Sequence, residues 1–188
     1  MNLHLPSRIE AWQRLRQAAP PDWVLDHVRA VEGLAIAMTQ QATRQGIPVH
    51  EGLVSRGALL HDIGRSITQD LRHAYLGADM LRTDGASEVL ARVVECHTGA
   101  GLEPPEAAAA GLPARDYMPR SWEERIVAHA DNLYSGAKRL DLEQVQRKYE
   151  AKALPEAWKR IEALHAELAS ALDCDLDALQ PARMPNLP

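Results

Sequence analysis

The chain predicts an all-α, single-domain protein, and three observations carry that prediction. Its long segments are rich in Ala, Leu, Glu, Gln and Arg, and their apolar residues recur at three- and four-residue spacing. Glycine and proline gather in a few short stretches between those segments. No run of alternating β-branched and aromatic residues marks a sheet. A chain of 188 residues can bury one sizeable core and is short for two, so residues 1–188 are expected to form one domain.

In chain order, Pro6 to Ala18 sets Ile9, Trp12 and Leu15 among charged residues, an amphipathic helix that covers part of the core. Pro20-Pro21 ends it, and Asp22 is a suitable cap for a second helix running to about Arg44. Val24, His27, Val28, Val31, Leu34, Ala35 and Met38 form its inward stripe, so His27 points inward with aliphatic residues. Gln45 to Pro48 reads as a turn. His50-Glu51 then opens a third helix, or contributes to a pocket rim, and Leu53, Val54, Ala58, Leu59 and Leu60 lead up to His61-Asp62. Gly64 allows the backbone to turn away there. A shorter helix begins after Gln69 or near His73, with His73, Leu76, Gly77 and Met80 on one side.

Beyond Thr83-Asp84-Gly85, the residues Val89, Leu90, Val93, Val94 and His97 make the next inward face, closed by Gly99-Ala100-Gly101. Gly101 to Arg120 holds four prolines. Two readings of it stand: an ordered excursion near the site opening that contacts substrate, or a surface loop braced by Tyr117 and Met118. Ser121-Trp122-Glu123-Glu124 has the pattern of a capping box, and the helix behind it turns Trp122, Ile126, Val127, Ala130, Asp131 and Tyr134 inward. Arg139 to Lys152 is polar and moderately helical. Pro155 starts a last substantial helix with Trp158, Ile161, Leu164 and Leu168 inward. Asp173 to Gln180 reads as a short terminal helix and Met184 to Pro188 as a frayed end.

The formal charge of −5 argues against an electrostatic binder of long nucleic acid, and leaves room for a local basic patch that takes a small anion. Two cysteines, Cys96 and Cys174, make no disulfide framework; with no secretory signal and no long uncharged span, they fit a cytoplasmic protein that needs no membrane.

Six residues then stand out: His27, His61, Asp62, His73, His97 and Asp131. Each histidine taken singly is more simply a packing or hydrogen-bonding residue. Taken together, four inward imidazoles and two inward carboxylates without matching basic partners are costly to bury. Divalent ions would replace the hydration they lose, and His, Asp and water suit Mn, Fe, Co, Ni or Zn. Six ligands exceed what one catalytic zinc uses. The economical arrangement is two metals, one held mainly by His27, His61, Asp62 and Asp131, with Asp62 bridging to a second served by His73 and His97. His129, two residues before Asp131, points elsewhere on its helix and reads as a surface position or a support. Cys96 reads as a core thiol.

The ordered set resembles the HD-domain superfamily of metal-dependent phosphohydrolases. The matching features are His27, His61-Asp62 in the form His61-Asp62-Ile63-Gly64, Asp131 in Ala128-His129-Ala130-Asp131, His73-Ala74-Tyr75-Leu76-Gly77-Ala78, and His97-Thr98-Gly99. The resemblance implies an HD-type helical bundle with a metal-binding core at 22–134 and helical additions at both ends. It extends to small stand-alone HDIG proteins and to bacterial hydrolases of diadenosine polyphosphates. Those hydrolases commonly carry a lysine shortly after the HD pair, where this chain has Arg65-Ser66.

By that resemblance the activity is hydrolysis of a nucleotide phosphate ester or phosphoanhydride by a metal-bound water. Two divalent transition-metal ions are implied, Fe or Mn favoured over Co, Ni or Zn. Asp62 and Arg65 are the catalytic candidates; Arg65, Arg29 and Arg72 are those for substrate binding, the last two also fitting surface ion pairs. The expected partner is a small nucleotide or other phosphorylated molecule, with oligomeric state open. A di-iron oxygenase of the same superfamily and a nonhydrolytic nucleotide-binding or signalling domain are the alternatives.

Overall fold

The computed structural model describes residues 4–188. Helix α1 (Arg8–Ala18) starts from a capping box in which the Ser7 side chain accepts from Glu10 N–H while the Glu10 carboxylate accepts from Ser7 N–H at 2.6 Å. It buries Ala11, Trp12 and Leu15. Ile9 is exposed, contrary to expectation, because the seam with the core runs along those three residues. Helix α2 (Asp22–Arg44) buries the whole predicted stripe, but Pro21 is its cap residue and Asp22 already lies inside the helix.

Helix α3 (Glu51–Leu60) is capped by His50, whose Nδ1 accepts from Leu53 N–H at 3.0 Å; this is the helix-start role. A single 3₁₀ turn (Ile63–Ser66) leads to α4 (His73–Thr83) and α5 (Glu88–Glu95). Val89, read as inward, is exposed on α5. After the short α6 (Pro104–Ala109) comes α7 (Trp122–Asn132), which begins with the predicted Ser121/Glu124 capping box. Strands β1 (Tyr134–Ser135) and β2 (Lys138–Arg139) form a two-stranded antiparallel ribbon with Tyr134 opposite Arg139. Helices α8 (Leu142–Glu150) and α9 (Pro155–Leu172) follow, and among the described residues that ribbon is the only sheet.

Helices α2, α3 and α7 pack against one another, α5 lies on α3 and α4, and α9 lies on α7 and α8. One apolar cluster runs from Ala11 through Leu176. A smaller one, Ala107, Leu112 and Tyr117 against Tyr75 and Leu102, holds the 101–120 segment, and Arg92 Nη2 donates to Met118 O at 2.9 Å. The braced-loop reading of that segment therefore describes it.

Both expectations for the C-terminal stretch are corrected. Residues 173–180 form turns, and 184–188 lie along α1, where Trp12 Nε1 donates to Pro188 O at 2.7 Å and Arg8 Nη1 to Pro185 O at 2.9 Å. Side-chain donors far away in sequence satisfy that backbone, so it does not fray. Among the described residues no helix is long and apolar enough to cross a membrane.

Two polar or backbone details fix how the helices around His61-Asp62 meet. A Cβ on Gly64 would sit 2.0 Å from His73 O and 2.7 Å from Gly77 N, so only glycine lets the turn after the HD pair touch the backbone of α4. On the other side of the core, the fully buried Glu32 of α2 accepts from Arg8 Nε and Nη2, both at 2.8 Å, and from Ser55 Oγ at 2.6 Å. That fork ties α1, α2 and α3 together.

Candidate metal centre

The six singled-out residues come from different elements and meet in one place. His27 projects from α2, His61 and Asp62 follow the last turn of α3, His73 opens α4, His97 lies just past α5, and Asp131 is in the last turn of α7. The four imidazoles and Asp62 are buried, while the Asp131 side chain is 23% exposed and opens toward solvent.

The hydrogen bonds at the outer edge of each ring decide what its inner edge offers. Nδ1 of His61 lies 2.8 Å from Ala58 O, Nδ1 of His73 2.6 Å from Asp70 O, Nδ1 of His97 2.7 Å from Val94 O, and Nδ1 of His27 2.8 Å from Gly136 O. A carbonyl only accepts, so each Nδ1 carries the proton and donates. Nε2 of every ring is left with its lone pair facing inward. These atoms converge: His27 Nε2 is 3.1 Å from His61 Nε2, and His73 Nε2 is 3.0 Å from His97 Nε2. One proton fits between each pair of facing lone pairs, and a cation fits better.

The carboxylates complete the arrangement. Asp131 Oδ1 is 2.9 Å from His27 Nε2 and 3.6 Å from His61 Nε2. Asp62 lies between the pairs, with Oδ2 3.7 and 3.8 Å from the Nε2 atoms of His27 and His61, and Oδ1 3.1 and 3.6 Å from those of His73 and His97. Among the described residues Asp62 Oδ1 finds no hydrogen-bond donor although it is buried. Two sets of donor atoms lie within 4.8 Å of one another, His27 with His61 and Asp131, and His61 with Asp62 and His97. An orphaned carboxylate oxygen among converging imidazole lone pairs fits divalent transition-metal ions.

Burial opposes the charge on Asp62, but the charge and hydrogen bonds that His61, His73 and His97 supply when a proton sits on Nε2 outweigh it and hold the carboxyl well below its usual range, and a cation among the same lone pairs would act in the same direction. Asp131 is depressed in the same way, with His27 and His61 outweighing burial. Burial lowers the proton affinity of His97; for His27 the neighbouring Asp131 overcomes burial and raises it.

A cleft of about 260 Å³ opens over the centre, walled by Trp23, Arg65, Thr98, Asn132, Tyr134 and the α8 side with Lys148, Tyr149 and Lys152. Arg65 Nε donates to Asp62 Oδ2 at 2.6 Å, and its guanidinium lies 5.3 Å from the centre of the Trp23 ring. Asn132 Nδ2 donates to Gly99 O at 2.8 Å and ties α7 to the loop that carries His97.

Arg29 and Arg72 are not brought to this cleft. Arg29 lies 5.9 Å from the Trp12 ring and lines a separate cavity with Arg8 and Arg139. Arg72 is half exposed and forks onto the Asp70 carboxylate, at 2.7 Å for Nη2. Arg72 thus makes the surface ion pair that was its alternative reading, whereas Arg29 has no ion-pair partner among the described residues and lies over the Trp12 ring instead. His129 is fully buried, not at the surface, with Nε2 3.1 Å from His165 Nδ1; burial pushes its pKa down to about 3. Cys96 is a buried thiol, raised by burial. The residues that sequence reading missed are Lys148, Tyr149 and Lys152. Their spacing on a polar segment was visible, but nothing local said which way that face would dock.

A family model described as "HD domain" matches residues 24–136. A protein of Thermoplasma volcanium named tRNA (cytidine(56)-2'-O)-methyltransferase is 44% identical over 158 residues, which is 84% of this chain and 45% of that protein. This chain thus spans about half the length of that relative. A ribonuclease Y of Acidothermus cellulolyticus is 32% identical over 130 residues, 68% of this chain and 25% of the ribonuclease. Among solved structures, the PgpH phosphodiesterase HD domain of L. monocytogenes superimposes with a TM-score of 0.51 at 17% identity, covering 87% of this chain and 97% of that one, and it shares the fold.

Proposed function

Because the chain belongs to the HD-domain family, we propose that it is a metal-dependent phosphohydrolase that cleaves a phosphate ester or phosphoanhydride of a small nucleotide. The observation that carries this reading is the convergence of four Nε2 lone pairs on the two oxygens of Asp62, one of them without a partner. The ribonuclease and phosphodiesterase names of related proteins support phosphorus–oxygen bond cleavage as the reaction class. The methyl-transfer activity in the name of the Thermoplasma relative belongs to a protein of which this chain matches 45%.

His27, His61, Asp62 and Asp131 would hold one ion, and His73, His97 and Asp62 the other. Once bound, two divalent ions supply Lewis acidity that acidifies water and neutralises phosphoryl oxygens. The protein's own groups do the rest. The Nδ1–H bonds to Gly136, Ala58, Asp70 and Val94 fix the tautomer and tilt of each ring. Arg65 locks the rotation of the Asp62 carboxylate through Nε, donates from Nη1 to Gln69 O at 3.3 Å, and has Nη2 left to offer a substrate oxygen. In the reaction, a water oxygen bonds to phosphorus, the bond to the leaving oxygen breaks, and that oxygen takes up a proton.

The test is metal analysis of protein purified without added metal, followed by a nucleotide panel assayed with the recovered metal. About two equivalents per chain and phosphate release that survives the removal of oxygen are expected. Turnover that requires oxygen, or a fully loaded protein that releases no phosphate from any nucleotide, would overturn the reading.

A further inference from the structure

Resting on the phosphohydrolase reading, we propose that the substrate is a nucleoside polyphosphate, with Lys148 and Lys152 seating the phosphates beyond the scissile one and Trp23 stacking the base. The family model ends at residue 136, so Lys148 on α8 and Lys152 in the turn after it lie outside the matched part of the chain.

Charge is the first reason. Arg65, Lys148 and Lys152 line one cleft together with Asp62 and Asp131. Arg65 is paired to Asp62, and the Asp131 carboxylate is engaged by His27 and His61. Among the described residues neither Lys148 nor Lys152 makes an ion pair, whereas Lys159 on the neighbouring helix α9 is paired with Glu156. Lys148 is half-buried, and the ammonium of a half-buried lysine loses hydration without recompense unless an anion comes to it.

Two divalent ions would more than cancel the two carboxylates, which leaves the cleft strongly positive in a chain whose net charge is −5. An internal phosphodiester brings one negative charge and leaves most of that field unanswered. A di- or triphosphate brings three or four, spread over the distance from the metal centre to α8.

Size and surface point the same way. The cleft holds about 260 Å³, below the roughly 300–1,000 Å³ of pockets that enclose a whole drug-sized ligand. It can take phosphates and leave a base at the rim. There Trp23 is 45% exposed, an unusual state for so large an apolar ring, with the Arg65 guanidinium already 5.3 Å from its centre.

Calorimetry on the metal-loaded protein, in a buffered excess of the recovered ion, tests this. The probes are a nucleoside triphosphate with methylene bridges at both anhydride positions, a nucleoside monophosphate, a dinucleotide with one internal diester, and inorganic tripolyphosphate. The triphosphate analogue should bind at least about tenfold more tightly than the monophosphate or dinucleotide. Lys148→Met and Lys152→Met, which keep the apolar stems, should each weaken the analogue about tenfold and leave the dinucleotide nearly unchanged. Trp23→Leu should weaken the nucleoside analogue about tenfold while leaving tripolyphosphate unaffected. Equal affinity for dinucleotide and triphosphate analogue, or lysine variants with unaltered affinity and intact helical circular dichroism, would overturn the assignment. Hydrolysis of a dinucleotide untouched by the lysine variants would overturn it too and leave the phosphohydrolase reading in place. Lysine-dependent polyphosphate binding without turnover of any nucleotide would do the reverse.

Discussion

Glu32 and Asp62 are both carboxylates buried in the same helical core, and they are buried in opposite ways. Glu32 is saturated: Arg8 grips both oxygens at 2.8 Å and Ser55 adds a third donor at 2.6 Å. Asp62 has one strong donor, Arg65, on Oδ2, and an Oδ1 that is buried with no hydrogen bond while imidazole lone pairs face it. The first group has everything it needs from the chain, so its role is to join helices. The second is left short by the chain's own donors, and in the proposed function a cation would complete it. Burial of a charge in this molecule thus signals function only where the protein's own donors fall short.

The contrast can be broken experimentally. The largest effect is expected for Asp62→Ala, which should abolish binding of at least one metal ion and lower phosphate release by about 1,000-fold or more. The metal-free protein should also lose stability, by about 1–3 kcal/mol in urea, because the substitution leaves Arg65 without its carboxylate. A loss as large as that expected for Glu32→Ala, with metal content unchanged, would make Asp62 structural, and the contrast would collapse. Glu32→Ala should do the opposite, because it strands the Arg8 guanidinium in a partly buried site. A destabilisation of about 3–5 kcal/mol in urea unfolding is expected, with metal content per folded chain unchanged.

The same comparison extends to histidines. Each ring of the cluster has its Nδ1 on a carbonyl, whereas the buried His129 has an Nδ1 with no partner and a pKa pushed down by burial to about 3. An unfolded His129 binds a proton below its ordinary pKa of about 6.5, while the folded one resists until about pH 3. Folding stability should therefore fall as pH drops through that window, by about 2 kcal/mol at pH 5, and His129→Leu should flatten the slope. Urea midpoints from pH 7 to 5 on metal-free protein provide the measurement. The smallest effect is expected for Ser55→Ala, which removes a single donor from a carboxylate that keeps its arginine fork. It should cost about 1–2 kcal/mol in the same unfolding assay and leave metal content untouched.

Much of this was legible in the sequence, for a physical reason: a helix stripe is a local pattern, and a histidine or aspartate on that stripe must share its fate. His27 among Val24, Val28 and Val31, and Asp131 beside Ile126, Val127 and Ala130, announced themselves in that way. Glu32 carried the same signal, one residue past Val31 on the inward face of α2, but its partner Arg8 is twenty-four residues away and no local pattern links them. Docking between distant segments was the unreadable part. The tail at 184–188 is fixed by Trp12 and Arg8, and the face of α8 that walls the cleft is chosen by how α8 meets α9. Ile9 and Val89 illustrate the limit of periodicity, since an apolar residue at the edge of a stripe goes to whichever side the neighbouring helix leaves open.

His61, His73 and His97 each donate to the carbonyl three residues upstream, at the end of α3, before α4 and at the end of α5. The Ala58 and Val94 carbonyls lie in the last turns of α3 and α5, where they have no partner within the helix, so leftover acceptors fix two imidazoles, while the Asp70 carbonyl, which also accepts from His73 N–H, fixes the third. Their side-chain freedom is surrendered when the helices pack, long before an ion arrives. In the proposed function an ion would thus meet rings whose tautomer and tilt are already fixed, at little further cost in side-chain freedom.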